Sequence, residues 1–187
     1  MKKQYMLKFN NKNFLLPVNI IGKHNYINAI TAIAACRELK VPINTQIKAL
    51  SSFKGVSKRT DLVCEIDGIK VFDDFAHHPT AIKSSINSIK ETFTRKRLLT
   101  ILVPGSNSMR LGVHNDQLAP SLDKSDRAIV LTKFKPLKRL MGNNIKINVI
   151  ETEAQIREYL DRENNFDVVL VLSNRNTKNI LRYIKNE

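Results

Sequence analysis

Ile69-Lys70-Val71-Phe72-Asp73-Asp74-Phe75-Ala76-His77-His78-Pro79-Thr80-Ala81-Ile82 decides the fold. It passes from a short apolar run to a loop of two carboxylates and two imidazoles. It then reaches a proline, whose fixed φ suits the first turn of a helix. Just upstream, Leu62 to Ile66 and Ile69 to Phe72 flank Asp67-Gly68, a pair that tolerates positive φ and so favours a two-residue hairpin turn. A strand whose carboxyl end delivers polar groups to a helix start is the repeating unit of an α/β sheet.

Working toward the carboxyl terminus, the pattern continues to alternate. A helix is expected from Pro79 to about Thr92, then strands over Leu98 to Val103 and Ala128 to Leu131 with a polar loop between them. A helix near Lys135 to Met141, a strand over Lys146 to Ile150, a helix over Glu153 to Leu160, a buried strand over Asp167 to Leu172 and a closing helix over Lys178 to Ile184 follow. The expectation is an α/β, Rossmann-like, doubly wound sheet, with ligands outside the carboxyl ends of the strands. The segments after Phe72, Val103 and Leu172 are therefore where chemistry belongs. Toward the amino terminus, Met6 to Asn10 and Phe14 to Ile20 suit a hairpin around Asn11-Lys12-Asn13. Helices are expected over about His24 to Leu39 and Asn44 to Phe53, separated by Pro42, and Gly55 marks a break. The boundary between two domains, 1–56 and 57–187, is placed there.

Composition narrows the class. The 187 residues are 42% hydrophobic, enough for a core. No apolar run approaches the roughly 18 residues of a membrane span, and the start, Met1-Lys2-Lys3-Gln4-Tyr5, lacks a signal-peptide pattern. A cytoplasmic address without membrane partners is expected. Cys36 and Cys64 fall in a helix and a strand, away from ligand-spaced Cys or His, and read as buried thiols rather than a disulfide or metal site. Lys and Arg exceed Asp and Glu by 31 to 17, a net charge of +14 that attracts phosphates. The basic residues are scattered, Trp is absent and aromatics make up 6%, so a solvated lysine-rich surface fits better than a nucleic-acid stripe.

Three constellations carry candidate chemistry. In Asp73-Asp74-Phe75-Ala76-His77-His78-Pro79 the carboxylates could take ribose hydroxyls or a cation, and the imidazoles with helix-end amides could take phosphate. A helix-capping Asp with incidental histidines is the plain alternative. Pro104-Gly105-Ser106-Asn107-Ser108-Met109-Arg110 ends in a guanidinium able to clamp a carboxylate or phosphate, or is a surface turn. His24-Asn25-x-x-Asn28 puts His24 and Asn28 on one helical face that could meet a flat base, or is simply a helix start.

Taken in order, Gly22-x-His24-Asn25-x-x-Asn28-Ala29, Gly55-Val56-x-Lys58-Arg59 and Asp73-Asp74-Phe75-Ala76-His77-His78-Pro79-Thr80-Ala81 resemble the Mur ligase family. Phe75 to Ile82 and Ser106 to Gly112 are most similar to its murein peptide ligase branch, and the resemblance covers nearly all of the chain. It implies that residues 1–56 are the carboxyl-terminal tail of the family's central ATPase domain and 57–187 its C-terminal domain. It also implies Asn25 and Asn28 near adenine, Arg59 near the ATP phosphates, Asp74 on the ribose, His77 near the reacting centre, and Ser106, Asn107 and Arg110 on the substrate. The implied cofactors are ATP and Mg2+. The implied reaction phosphorylates a carboxylate and lets an amine attack the acyl phosphate, joining recycled L-alanyl-γ-D-glutamyl-meso-diaminopimelate to UDP-N-acetylmuramate for the cell wall.

Several features depart from that pattern. No Gly-x-x-x-x-Gly-Lys-Ser/Thr occurs in the sequence, and no UDP-sugar domain precedes the hairpin, so the nucleotide site is expected to be incomplete and the chain inactive alone. The family's Glu-Pro-Arg before Ser-Asn is Val103-Pro104-Gly105, its glycine-rich stretch after the last strand's Ser-Asn is Arg175-Asn176-Thr177-Lys178, and its Arg-x-Glu is Arg59-Thr60-Asp61. Three readings stand in order: a ligase portion completed by a separate amino-terminal piece, a non-catalytic remnant binding nucleotide or muropeptide, and a basic nucleic-acid-binding domain.

Overall fold

The computed structural model describes the chain except residues 1–4, 18–20, 107–108, 110–112, 143 and 186–187. It divides into two compact units, Met1–Val56 and Ser57–Glu187.

The first unit opens with an antiparallel hairpin of β1 (Tyr5–Phe9) and β2 (Lys12–Leu16). Its turn is Asn10-Asn11, both at positive φ (47° and 56°), the geometry that asparagine tolerates and a tight hairpin requires. The expected three-residue turn Asn11-Lys12-Asn13 is thus corrected, because Lys12 already pairs with Phe9. The second strand stops at Leu16, before Pro17, which has no N–H to give; the rest of the expected Phe14 to Ile20 run lies outside the described residues. Helices α1 (Lys23–Glu38) and α2 (Ile43–Ser52) follow. Leu16, Ala29 and Ile33 form a small core with half-buried Tyr26, Ile43, Ile47 and Leu50 around it.

The second unit is a six-stranded sheet in the order β3-β4-β8-β5-β6-β7. Its strands are β3 (Asp61–Ile66), β4 (Ile69–Asp74), β5 (Leu98–Leu102), β6 (Arg127–Leu131), β7 (Ile147–Ile150) and β8 (Val168–Leu172). Only β3 runs antiparallel, joined to β4 by the Asp67-Gly68 turn. The helices are α3 (Pro79–Thr92), α4 (Asn115–Ser121), α5 (Lys135–Gly142), α6 (Ala154–Arg162) and α7 (Lys178–Lys185). This is the expected α/β sheet. The short helix α4 stands within what the sequence suggested was a polar loop.

Period-two alternation builds both faces. Val71, Leu99, Ile101, Ile129, Val169 and Val171 pack with Ile156 and Tyr159 of α6 and Ile180 and Ile184 of α7. Their neighbours Phe72, Leu98, Leu102, Val130, Leu170 and Leu172 are equally buried and point the other way, toward the layer where α3 meets α4 and α4 meets α5. Because β5, β6 and β7 step outward and β8 returns between β4 and β5, the loops after β4, β8 and β5 adjoin at one carboxyl edge. Cys36 and Cys64 are thiols, not a disulfide pair, and are half-buried rather than buried as expected.

Candidate functional site

The edge is organised by the two carboxylates that end β4. Asp74 is 3% exposed. Its Oδ2 accepts from the Thr60 backbone N–H (2.8 Å) and the Thr60 hydroxyl (2.8 Å), and its Oδ1 accepts from the Ala76 N–H (2.8 Å). Phe75 N–H donates to the Lys58 carbonyl at 2.8 Å. These bonds hold a strained turn, since Lys58 and Thr60 have φ of 57° and 52°. That region is unfavourable for any side chain with a Cβ and more so for a β-branched one. Arg59, between them, is exposed. The turn therefore presents a guanidinium outward from a buried anchor.

Asp73 is 5% exposed. Its Oδ2 accepts from the Thr177 hydroxyl at 2.7 Å and lies 3.9 Å from Lys58 Nζ. Its Oδ1 is buried without a partner. Burial raises the carboxyl above the usual range, and Asp74 and Asp61 add to that, while the Thr177 bond and Lys58 partly offset it. Lys58 Nζ also donates to the Arg175 carbonyl, tying the turn before β3 to the loop after β8.

The histidines sit beside this anchor. His77 Nδ1 lies 3.0 Å from the Phe75 carbonyl, which in the neutral ring puts the proton on Nδ1 and leaves Nε2 as an acceptor. His78 caps α3, its Nδ1 accepting from Thr80 N–H at 3.4 Å, and stacks edge-on against His114 with centroids 4.4 Å apart. After β5, Ser106 Oγ accepts from Met109 N–H at 3.3 Å; Asn107 and Arg110 lie outside the described residues. In the first unit, Asn25 is buried, its Nδ2 donating to the Ile21 carbonyl at 2.6 Å, and Asn28 is exposed.

The structure thus brings Arg59, Asp74 and His77 to one edge. It adds Lys58, Thr60, Asp73, Thr177 and Arg175, which the sequence reading did not select. All five stood inside quoted stretches, but the contacts of Thr60 with Asp74, Thr177 with Asp73 and Arg175 with Gly105 become visible only when the loops meet. On the face carrying α6 and α7, a cavity of about 750 Å³ opens at the carboxyl ends of β5 to β8, lined among others by Thr132, Lys133, Phe134, Glu153, Arg175 and Tyr183. Among the described residues no group of three or more His, Cys, Asp or Glu is placed to hold a metal. No helix among them is long and apolar enough to cross a membrane.

Residues 58–175, which contain this edge apart from Thr177, match the Mur ligase, glutamate ligase domain. The chain belongs to the Mur ligase family. It is 40% identical over 114 residues to the UDP-N-acetylmuramate--L-alanyl-gamma-D-glutamyl-meso-2,6-diaminoheptandioate ligase of Haemophilus influenzae, covering 60% of this chain and 25% of that one. It is also similar to the crystal structure of a murein peptide ligase from Psychrobacter arcticus, with 29% identity, a TM-score of 0.67, and coverage of 98% of this chain and 42% of that one. A Mur ligase from Thermotoga maritima crystallised in complex with ADP shares the fold at 19% identity and a TM-score of 0.75, covering 98% of this chain and 43% of that one. This Mur ligase chain therefore spans a quarter of the length of the curated relative and about two fifths of the solved ones.

Proposed function

We propose that this chain supplies the peptide-binding and part of the nucleotide-binding machinery of an ATP-dependent, amide-forming ligase. That ligase joins L-alanyl-γ-D-glutamyl-meso-diaminopimelate to UDP-N-acetylmuramate in cell-wall recycling. The observation that carries the reading is the Asp74 clamp on the Lys58-Arg59-Thr60 turn. A strained backbone maintained by a buried carboxylate at the cost of about 1–3 kcal/mol per unfavourable residue points to a function for the side chain it displays. Arg59 suits the developing charge on a transferring phosphoryl group. His77, with Nε2 open, suits the reacting centre. Asp74 would meet the ribose at the edge of its clamp, and Asn25 and Asn28 would meet the adenine. Ser106, with the cavity at the ends of β5 to β8, would serve the peptide side, and the resemblance adds Asn107 and Arg110, which lie outside the described residues, to the same role. The H. influenzae relative's name supplies the substrate pair.

ATP in this family is implied with Mg2+. The described residues do not form a protein-only magnesium site, so the ion would be held chiefly by the phosphates and water. The phosphate-cradling loop Gly-x-x-x-x-Gly-Lys-Ser/Thr is not among these 187 residues, so the phosphates would be held by an amino-terminal ligase portion that carries it. In this reading residues 1–56 are the tail of the central ATPase domain and 57–187 the C-terminal domain.

The test is ATP-dependent formation of UDP-N-acetylmuramyl-tripeptide by the chain alone and mixed with an amino-terminal portion carrying that loop. Product in the mixture only, abolished by Arg59→Ala, is expected. The Val103-Pro104-Gly105 departure favours a second reading, a binding module without turnover. It would be supported by a folded chain that binds tripeptide yet yields no product in either case.

A further inference from the structure

Arg175, the second residue after Ser173 beyond β8, lies across Gly105 beyond β5. A Cβ at Gly105 would stand 2.1 Å from Asn174 Oδ1, 2.7 Å from Arg175 Cγ and 3.0 Å from Arg175 Nε. All three distances are at or inside the limit real Cβ contacts respect, so the space a side chain at 105 would fill is already taken by Asn174 and Arg175. The Arg175 side chain is fixed there by Nη2 donating to the Gly105 carbonyl at 3.3 Å. Its backbone is pinned at both ends: the N–H donates to Ser173 Oγ at 3.0 Å, and the carbonyl accepts from Lys58 Nζ.

A guanidinium has five N–H donors in a rigid fork. One is spent on Gly105, and the exposed remainder borders the 750 Å³ cavity. Across that cavity stand Lys133 after β6 and Glu151 and Glu153 after β7. Glu151 is already paired with Lys138, and Glu153 opens α6 without capping it. A lining that mixes two cations, Arg175 and Lys133, with two carboxylates, Glu151 and Glu153, would bind a polyphosphate worse than an all-basic one and matches a ligand carrying both carboxylate and ammonium. The ordering also answers two of the departures noted from the sequence. The pattern this chain resembles has arginine at the position of Gly105 and glycine in the stretch where Arg175 stands.

We propose that Arg175 is the carboxylate-recognising residue for an amino-acid or peptide ligand in this cavity, and that Gly105 is the socket that admits it. The guanidinium reaches the space beside Gly105 from the β8 side. The inference rests on the peptide-binding reading above and names a residue for it.

The experiment titrates the full chain with L-alanyl-γ-D-glutamyl-meso-2,6-diaminoheptanedioate, with its carboxamide derivative and with inorganic pyrophosphate, following NMR shifts and calorimetry. The tripeptide is expected to bind, and the carboxamide to bind about ten- to a hundredfold more weakly, the range a charge-assisted bond contributes. Arg175→Ala, an exposed truncation that leaves the core intact, is expected to lose the same factor for the tripeptide and nothing for the carboxamide. Gly105→Ala should weaken tripeptide binding by displacing the arginine it does not alter, and Gly105→Arg with Arg175→Gly should regain it relative to either single change. Tripeptide binding unchanged in Arg175→Ala overturns the assignment and leaves the peptide-binding reading standing. Pyrophosphate binding that depends on Arg175 while tripeptide binding does not also overturns it, in favour of a phosphate ligand. A wild-type chain that binds no tripeptide sinks both.

Discussion

At the scale of single residues, the edge is built on two adjacent carboxylates with opposite situations. Asp74 has both oxygens engaged, two of its three bonds coming from Thr60. Thr60→Val removes the hydroxyl and leaves part of a buried carboxylate unpaired. It should destabilise the second unit by about 1–3 kcal/mol in urea unfolding, with Thr60→Ser close to wild type. A valine variant as stable as wild type would show that the hydroxyl is dispensable to the clamp. Asp73 is the reverse case, with a buried Oδ1 that nothing satisfies and a carboxyl raised mainly by burial. A carboxyl whose folded value lies above its unfolded one favours the fold in its protonated form. Its contribution is present in full below the ordinary carboxylate range and is lost as pH rises through the raised folded value. Asp73→Asn should therefore flatten the stability profile across that window and leave the protein at least as stable as wild type at pH 7, as read by melting temperature. A steep loss of stability at pH 7 would instead mean that the Lys58 and Thr177 contacts outweigh burial.

Among the elements, the joint between α3 and β5 depends on Asp126. Its Oδ2 accepts from Leu98 N–H at 2.7 Å and from Lys90 Nζ at 2.8 Å, fixing the start of β5 against the last turn of α3. Partial burial pushes this carboxyl up, but the Leu98 and Lys90 bonds and the nearby cations more than reverse it, so the net direction is down. With the folded value lowered, the stabilisation is present above the ordinary carboxylate range and disappears as pH falls through the lowered value. Asp126→Asn should lower the melting temperature at pH 7 by about 3–6 °C, the effect of the roughly 1 kcal/mol that solvent screening leaves to a partly exposed charge-assisted bond in a domain of this size, and match wild type under strong acid. An equal deficit at both pH values would tie the effect to packing instead. This joint was half legible in advance. The strand Leu98 to Leu102 and the helix from Pro79 to Thr92 stand where their apolar periods put them. Nothing in Asp126 announced that it closes the gap, because that depends on β5 and β6 lying side by side. The helix Asn115–Ser121 escaped detection for a local reason: it is seven residues long, mostly polar and contains Pro120, so neither period nor propensity marks it. The hairpin turn was misplaced by one residue because Asn10, Asn11 and Asn13 are all acceptable turn residues. Only the Phe9 to Lys12 pairing decides among them. The carboxyl-edge loops were found because strand ends are where such sheets bind, while Thr60, Thr177 and Arg175 act through partners distant in the chain that no motif lists.

Over the whole molecule, the two units differ in what stabilises them. The second has strands buried on both faces, with Val71, Leu99, Ile101, Ile129, Val169, Val171 and their opposite-facing neighbours nearly inaccessible. Among its described residues the first has three buried apolar residues, Leu16, Ala29 and Ile33, and leaves Met6 and Leu15, paired across its hairpin, 58% and 45% exposed, with Ile27 and Ile30 of α1 at 54% and 42%. A unit below about 70 residues with one small core rarely has more than about 3–5 kcal/mol available from it. Unfolding should therefore occur in two steps, the first unit melting at lower temperature and lower urea concentration than the second. Amide exchange should be fastest in α1 and α2 and slowest in β4, β5 and β8, whose central ladder carries the parallel pairings. A chain beginning at Ser57 should keep the upper transition within a few degrees and lose the lower one. If removing residues 1–56 instead abolishes the single transition seen for the full chain, the first unit is part of one cooperative fold, and the division at Val56 describes geometry without thermodynamic meaning.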